Sequence, residues 1–178
     1  MKNILIIYFY SILFIACTGL RINKDQFKPI NVNFSGSIIN KPIQSNSRNK
    51  EITLDKIFGI NESNIDKIKI NFIDSSHIRI EYIDSSSIYT EKNQFLILKG
   101  KFSKKGYFEF YRNNKKIKIP PLFPIIYSNT DIDRIRIAST INDNLIIDYK
   151  YDHGINIFLL AGGTSERSLS HFKIENEK

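Results

Sequence analysis

Along most of the chain apolar and polar residues alternate singly. Ile68, Ile70 and Phe72 alternate with Lys67, Lys69 and Asn71, and Ile78, Ile80 and Tyr82 alternate with His77, Arg79 and Glu81. A period of two sends one set of side chains to each face of a β-strand. Asp74-Ser75-Ser76 lies between these runs as a turn. Residues 95–102 and 107–112 flank Ser103-Lys104-Lys105-Gly106, a second hairpin connection. Asn113-Asn114, whose side chains tolerate the left-handed conformation, then lead into 115–119. Residues 132–141, 145–151 and 155–160 are separated by Asn142-Asp143-Asn144 and Asp152-His153-Gly154, and a last strand covers 169–174. Upstream, 33–40 forms a first strand, with Gly36 relaxing its backbone, and 41–50 reads as a polar loop.

One segment breaks the period. Thr53 can cap a helix, Leu54, Ile57 and Phe58 share one face, and Gly59 stops it. The spacing therefore predicts one short helix at 53–58 among about eight to ten strands joined by short connections. That pattern is all-β, and it predicts a single antiparallel up-and-down barrel of lipocalin-like type, because closure removes exposed edges. Proline cannot donate to a ladder, so Pro120-Pro121-Leu122-Phe123-Pro124 marks a crossing or a barrel rim.

The first residues follow another rule. Lys2 precedes an uncharged apolar run at 4–16, which at 1.5 Å per residue covers about 20 Å and is too short to span a bilayer. A charged start, a short apolar stretch and small residues at its end describe a secretory signal. Phe14-Ile15-Ala16-Cys17 resembles the bacterial lipobox, with Phe14 standing where leucine is usual. The resemblance implies lipidation of Cys17, the sole cysteine of the 178 residues. Two or three acyl chains anchor stably where one does not. Residues 1–16 thus read as a lipoprotein signal peptide, 17–31 as the lipidated cysteine and tether, and 32–178 as the barrel domain. Thr18 after the cysteine favours the outer membrane under the proteobacterial sorting rule.

A single cysteine also excludes an internal disulfide and any zinc site built on two cysteines. The count of 35 Ile against one Val, with 18 Asn and 19 Lys, reports AT-rich codons more than a physical demand.

Charge is concentrated. Without Lys2 the chain carries 25 basic and 18 acidic residues, a net of +7. Lys99, Lys101, Lys104, Lys105, Arg112, Lys115, Lys116 and Lys118 stand against Glu109 alone, so two adjacent hairpins hold the whole excess. Such an edge attracts anionic lipid, acidic polysaccharide or an acidic partner, or simply protects a sheet edge with lysines. Export disfavours nucleic acid. Among the aromatics, Phe108 and Phe110 share one face. With Ile97, Ile117, Ile119 and Phe123 they would line an apolar ligand pocket in a hollow barrel, or fill a packed one.

Other candidates are weaker. His77, His153 and His171 lack metal-ligand spacing, and Asp131 and Asp133 read as solvated ends or local ion pairs. Gly162-Gly163-Thr164-Ser165 reads as a loop without the lysine and helix of a P-loop. No catalytic constellation, cofactor motif or metal site emerges.

The run Lys99-Gly-Lys-Phe-Ser-Lys-Lys-Gly-Tyr-Phe-Glu-Phe, the block 117–127 and Arg134-Ile-Arg-Ile-Ala are similar to a group of uncharacterised Bacteroidota lipoproteins. The resemblance implies the envelope address and a lipocalin-like barrel, and it brings no activity. Two functions are predicted: a non-enzymatic carrier of a small apolar ligand, or an envelope interaction module working through its basic edge.

Overall fold

A computed structural model describes residues 27–46, 52–61, 64–84, 92–119, 127–157 and 160–175. The signal segment, Cys17, most of the tether and the proline-rich block with Phe123 lie outside the described residues. The strands are β1 (Phe27–Lys28), β2 (Ser35–Ser45), β3 (Lys67–Phe72), β4 (His77–Asp84) and β5 (Lys92–Phe102). After them come β6 (Phe108–Ile119), β7 (Tyr127–Thr140), β8 (Asn144–Ile157) and β9 (Leu160–Glu175). The only helix among the described residues is α1 (Leu54–Phe58).

Each strand from β2 to β9 pairs antiparallel with the next, and β9 pairs back onto β2. The result is the expected all-β, up-and-down barrel with one short helix. Closure leaves the lower half of the sheet without an edge. One set of alternating side chains fills the interior: Ile38, Ile68, Ile70, Phe72, Ile78, Ile80, Phe108, Phe110, Ile135, Ile137, Leu145, Ile147 and Phe172 form a single buried cluster. Phe72, Phe102 and Phe108 stack at centroid distances of 5.0–5.1 Å, in tilted and edge-on geometries.

Both mouths are closed by the chain itself. At the upper mouth Leu54, Ile57 and Phe58 of α1 point into the core, Phe58 stacks 6.2 Å from Phe110, and Gly59 ends the helix at φ 77°. The Thr53 side chain makes no cap bond, so packing rather than capping holds this short helix. Arg112 ties it to the wall by donating from Nη1 to the Lys56 carbonyl at 2.9 Å and from Nε to Asp133 at 2.8 Å. At the lower mouth residues 29–34 cross from β7 to β2. Ile30 is buried there, its amide donates to the Gly106 carbonyl, and Phe34 meets Phe72 edge-on.

Several expectations are corrected. Residues 41–45 continue β2 past Pro42, accommodated by register shifts against β9, rather than opening a loop. Asn113-Asn114 is not a turn: β6 runs through, with Arg112 bulged between the Tyr111–Arg134 and Asn113–Asp133 pairs. Asp152-His153-Gly154 and Gly162–Ser165 are likewise strand, paired to each other. Gly154 faces Gly163 there, and a Cβ on Gly163 would meet the His153 carbonyl oxygen. Those glycines permit close backbone approach rather than a turn. The fold also begins earlier than residue 32, since Phe27 and Lys28 pair with Thr140 and Ser139.

The longer strands create a second feature. Only Phe102, Lys101 and Gly100 of β5 pair with β6, and β2 meets β9 only near its C-terminal part. Beyond those points β6 to β9 continue together as a four-stranded arm above the barrel.

Candidate functional site

The outer wall of β6–β9 carries a buried ionic group. With Phe108 and Phe110 inward, Glu109 must face out, and the register lines it up with Arg136 and Asp148; the next row holds Tyr111, Arg134, Lys150 and Arg167. Arg136 Nε donates to Glu109 at 2.6 Å, and Arg167 grips Asp148 through two bonds at 2.7 and 2.8 Å. Arg134 stands between the two carboxylates, 4.0 Å from Glu109 and 3.8 Å from Asp148. The Asp148 side chain is 0% exposed. Tyr107 supplies its ring face to Arg136 at 4.8 Å. The hydrogen bonds that Arg167 donates to Asp148 raise the Arg167 pKa, and burial raises that of Tyr111. Both carboxylates are held by guanidinium groups, which suits them to fixing the wall rather than to shuttling protons. This group was missed in the sequence; its signal is the matching outward charge on four consecutive strands.

The six residues proposed as a ligand lining do not converge. Phe108 and Phe110 are buried in the packed core, 0% and 1% exposed. Ile97 is on the opposite, outer side of β5 and 48% exposed, and Ile117 stands on the arm. Ile119 pairs with Tyr127 through its backbone, and Phe123 lies outside the described residues.

The basic residues also separate. Lys99, Lys101, Lys104 and Lys105 are exposed around the lower end of β5 and its turn, whereas Lys115 and Lys116 are exposed on the arm. Seven strand steps of about 3.3 Å put roughly 23 Å between Phe108 and Lys115. Arg112 is drawn into the seal at the upper mouth. Lys118 is placed by its backbone pairing with Ser128.

Among the described residues the grooves are external. One of about 450 Å³ runs over β3–β5 and is lined by Lys67, Lys69, Arg79, Glu81 and Phe95, with the Arg79 guanidinium 4.7 Å above the Phe95 ring. Another of about 530 Å³ lies at the arm tip beside His153, Ile155, Ile157 and Leu160.

The histidines stay apart. His77 bonds to Asp74 at 3.0 Å, and His153 sits 3.7 Å from Asp131 in mid-strand rather than in a turn. Burial lowers the His171 pKa. No group of three metal-ligating side chains occurs among the described residues.

Asp74 gives a pH prediction. The Ser76 amide, then the His77 and Ser76 side chains, hold its pKa at about 2 against the ordinary 3.8. A depressed carboxylate contributes stability above its unfolded pKa and loses it as pH falls through the folded one. The unfolding midpoints of the protein and of Asp74→Asn should therefore differ above about pH 4 and converge near pH 2, as read by urea titration.

No protein family, no curated protein and no solved structure matches the chain.

Proposed function

We propose that the protein is a lipid-anchored, non-enzymatic interaction module of a bacterial cell envelope that binds an anionic component through its outer surface. The observation carrying this reading is the interior, which its own side chains fill and α1 and residues 29–34 close. Binding is then left to the outside, where Lys99, Lys101, Lys104, Lys105, Lys115 and Lys116 are exposed and the arm presents both faces to solvent. The apolar-carrier alternative is disfavoured, because its lining residues point to different compartments. The Cys17 anchor and the outer-membrane address rest on the lipobox resemblance.

Two measurements test the proposal. Cys17→Ser should abolish fatty-acid labelling of the expressed chain, and persistent labelling would refute the anchor. Retention on an immobilised polyuronate should weaken steeply with salt. The four changes Lys104→Glu, Lys105→Glu, Lys115→Glu and Lys116→Glu should flatten that dependence. An unchanged salt profile would sink the basic-surface reading.

A further inference from the structure

The lower rim combines exposed apolar side chains, a group of lysines and the point where the chain enters the fold. It gathers the turns 73–76, 103–106 and 141–143 with the crossing 29–34, as the strand pairs at each end require. Val32, Ile73 and Ile141 stand on it 42%, 53% and 58% exposed, each on a turn or crossing rather than on a strand face. Lys28, Lys99, Lys101, Lys104, Lys105 and Lys173 lie at or next to it, against Asp74, Asp143 and Glu175. All three acids are paired, Asp143 with Lys28 at 2.9 Å, Asp74 with His77 and Glu175 with Lys67 at 2.7 Å. The chain also enters the fold here, because β1 pairs at Ser139 and Thr140 and Ile30 bonds to Gly106.

We propose that this rim is the face that rests on the lipid surface, its isoleucines and valine at headgroup depth and its lysines among lipid phosphates. Apolar side chains on loop tips, ringed by lysines, match the interface of an anionic bilayer. The occupant follows from the point of entry. Ten chain steps lead from Cys17 to Phe27, and at most about 3.4 Å each gives a reach of roughly 34 Å. A lipid on Cys17 therefore keeps this end of the barrel close to the bilayer. The arm tip is twelve strand steps from Ser139 along β7, about 40 Å away. Docking on the rim points the arm outward, with its apolar Ile155, Ile157 and Leu160 available to a partner. The choice of a bilayer as occupant rests on the lipid-anchored reading, and the test separates the two.

The chain contains no tryptophan, so single-tryptophan variants report one position each. Ile73→Trp, Ile141→Trp and Leu160→Trp alter exposed side chains that leave the core packing alone. The full mature protein, with its N-terminal mass measured, is mixed with phosphatidylcholine vesicles containing phosphatidylglycerol and brominated lipid. The two rim tryptophans should shift to the blue and be quenched, while Leu160→Trp should do neither. Adding Lys104→Glu and Lys105→Glu should reduce rim quenching. A lipidated, vesicle-bound protein with unquenched rim positions, or with quenching only at Leu160→Trp, overturns the rim proposal alone. An unlipidated protein whose rim is still quenched overturns the anchor alone. An unlipidated protein that ignores the vesicles overturns both.

Discussion

Phe108→Ala should cost the barrel about 3–5 kcal/mol, the range for removing a fully buried phenylalanine from a core that cannot collapse around the gap. Phe108 is 0% exposed and touches Phe72, Phe102 and Phe110 at ring distances of 5.0, 5.1 and 6.4 Å. These rings come from three strands of a closed barrel, β3, β5 and β6, where hydrogen bonding to both neighbours stops any one strand from moving inward. The cavity term should therefore be near its full size. Phe95→Ala is the matched control. That ring is 59% exposed on the outer face and packs mainly under Arg79, so a loss of no more than about 1 kcal/mol is expected. Urea unfolding of the two variants measures the difference. A cost below about 1 kcal/mol at Phe108 would mean that the interior is loose enough to admit a guest.

Asp148→Asn should be nearly as damaging, at about 3–5 kcal/mol, because breaking a buried ion pair strands the remaining charge. Asp148 has no exposed surface and lies within 3.8 Å of Arg134, Arg136 and Arg167. Losing its charge removes the carboxylate that all three guanidinium groups approach, while Glu109 still faces Arg134 and Arg136. Solvent cannot take over fully, since the Arg136 side chain is only 6% exposed. A neutral amide still fits the site, so the loss would come from charge rather than shape. A companion variant isolates that cause: Asp148→Leu combined with Arg136→Met and Arg167→Leu removes the carboxylate with two of its three guanidiniums, leaves Arg134 beside Glu109, and should recover most of the stability. If Asp148→Asn unfolds at the same urea concentration as the wild type, the group is ornamental and the wall is held by its apolar residues.

How far the fold could be read from the sequence depends on the rule each segment obeys. Strands with one buried and one wet face, such as β3 and β4, declare themselves through strict alternation, and their pairing follows from the turn between them. The helix was legible because Leu54, Ile57 and Phe58 share a face and Gly59 ends it. Alternation failed on the arm, where both faces meet solvent and polar residues carry no signal of direction. There Asn113-Asn114 and His153-Gly154 looked like turns, although one pair follows a bulge and the other allows a close strand approach. The basic hairpins were legible as charge, yet contiguity in sequence hid that one long strand carries Lys115 and Lys116 far from Lys104 and Lys105. The wall of Glu109, Arg136 and Asp148 needs the register of β6, β7 and β8, which no local pattern encodes. The interior phenylalanines were correctly assigned to one face. Whether they enclose space or fill it is a question of volume, and α1 and residues 29–34 supply the side chains that close the gap.

Native mass spectrometry of the intact protein, purified gently from its own kind of host, tests the filled interior most directly. A filled barrel should give a bare mass, apart from the covalent lipid on Cys17, and take up no fluorescent fatty acid. A discrete acyl-chain adduct that disappears on denaturation would contradict it and return the barrel to the role of a carrier.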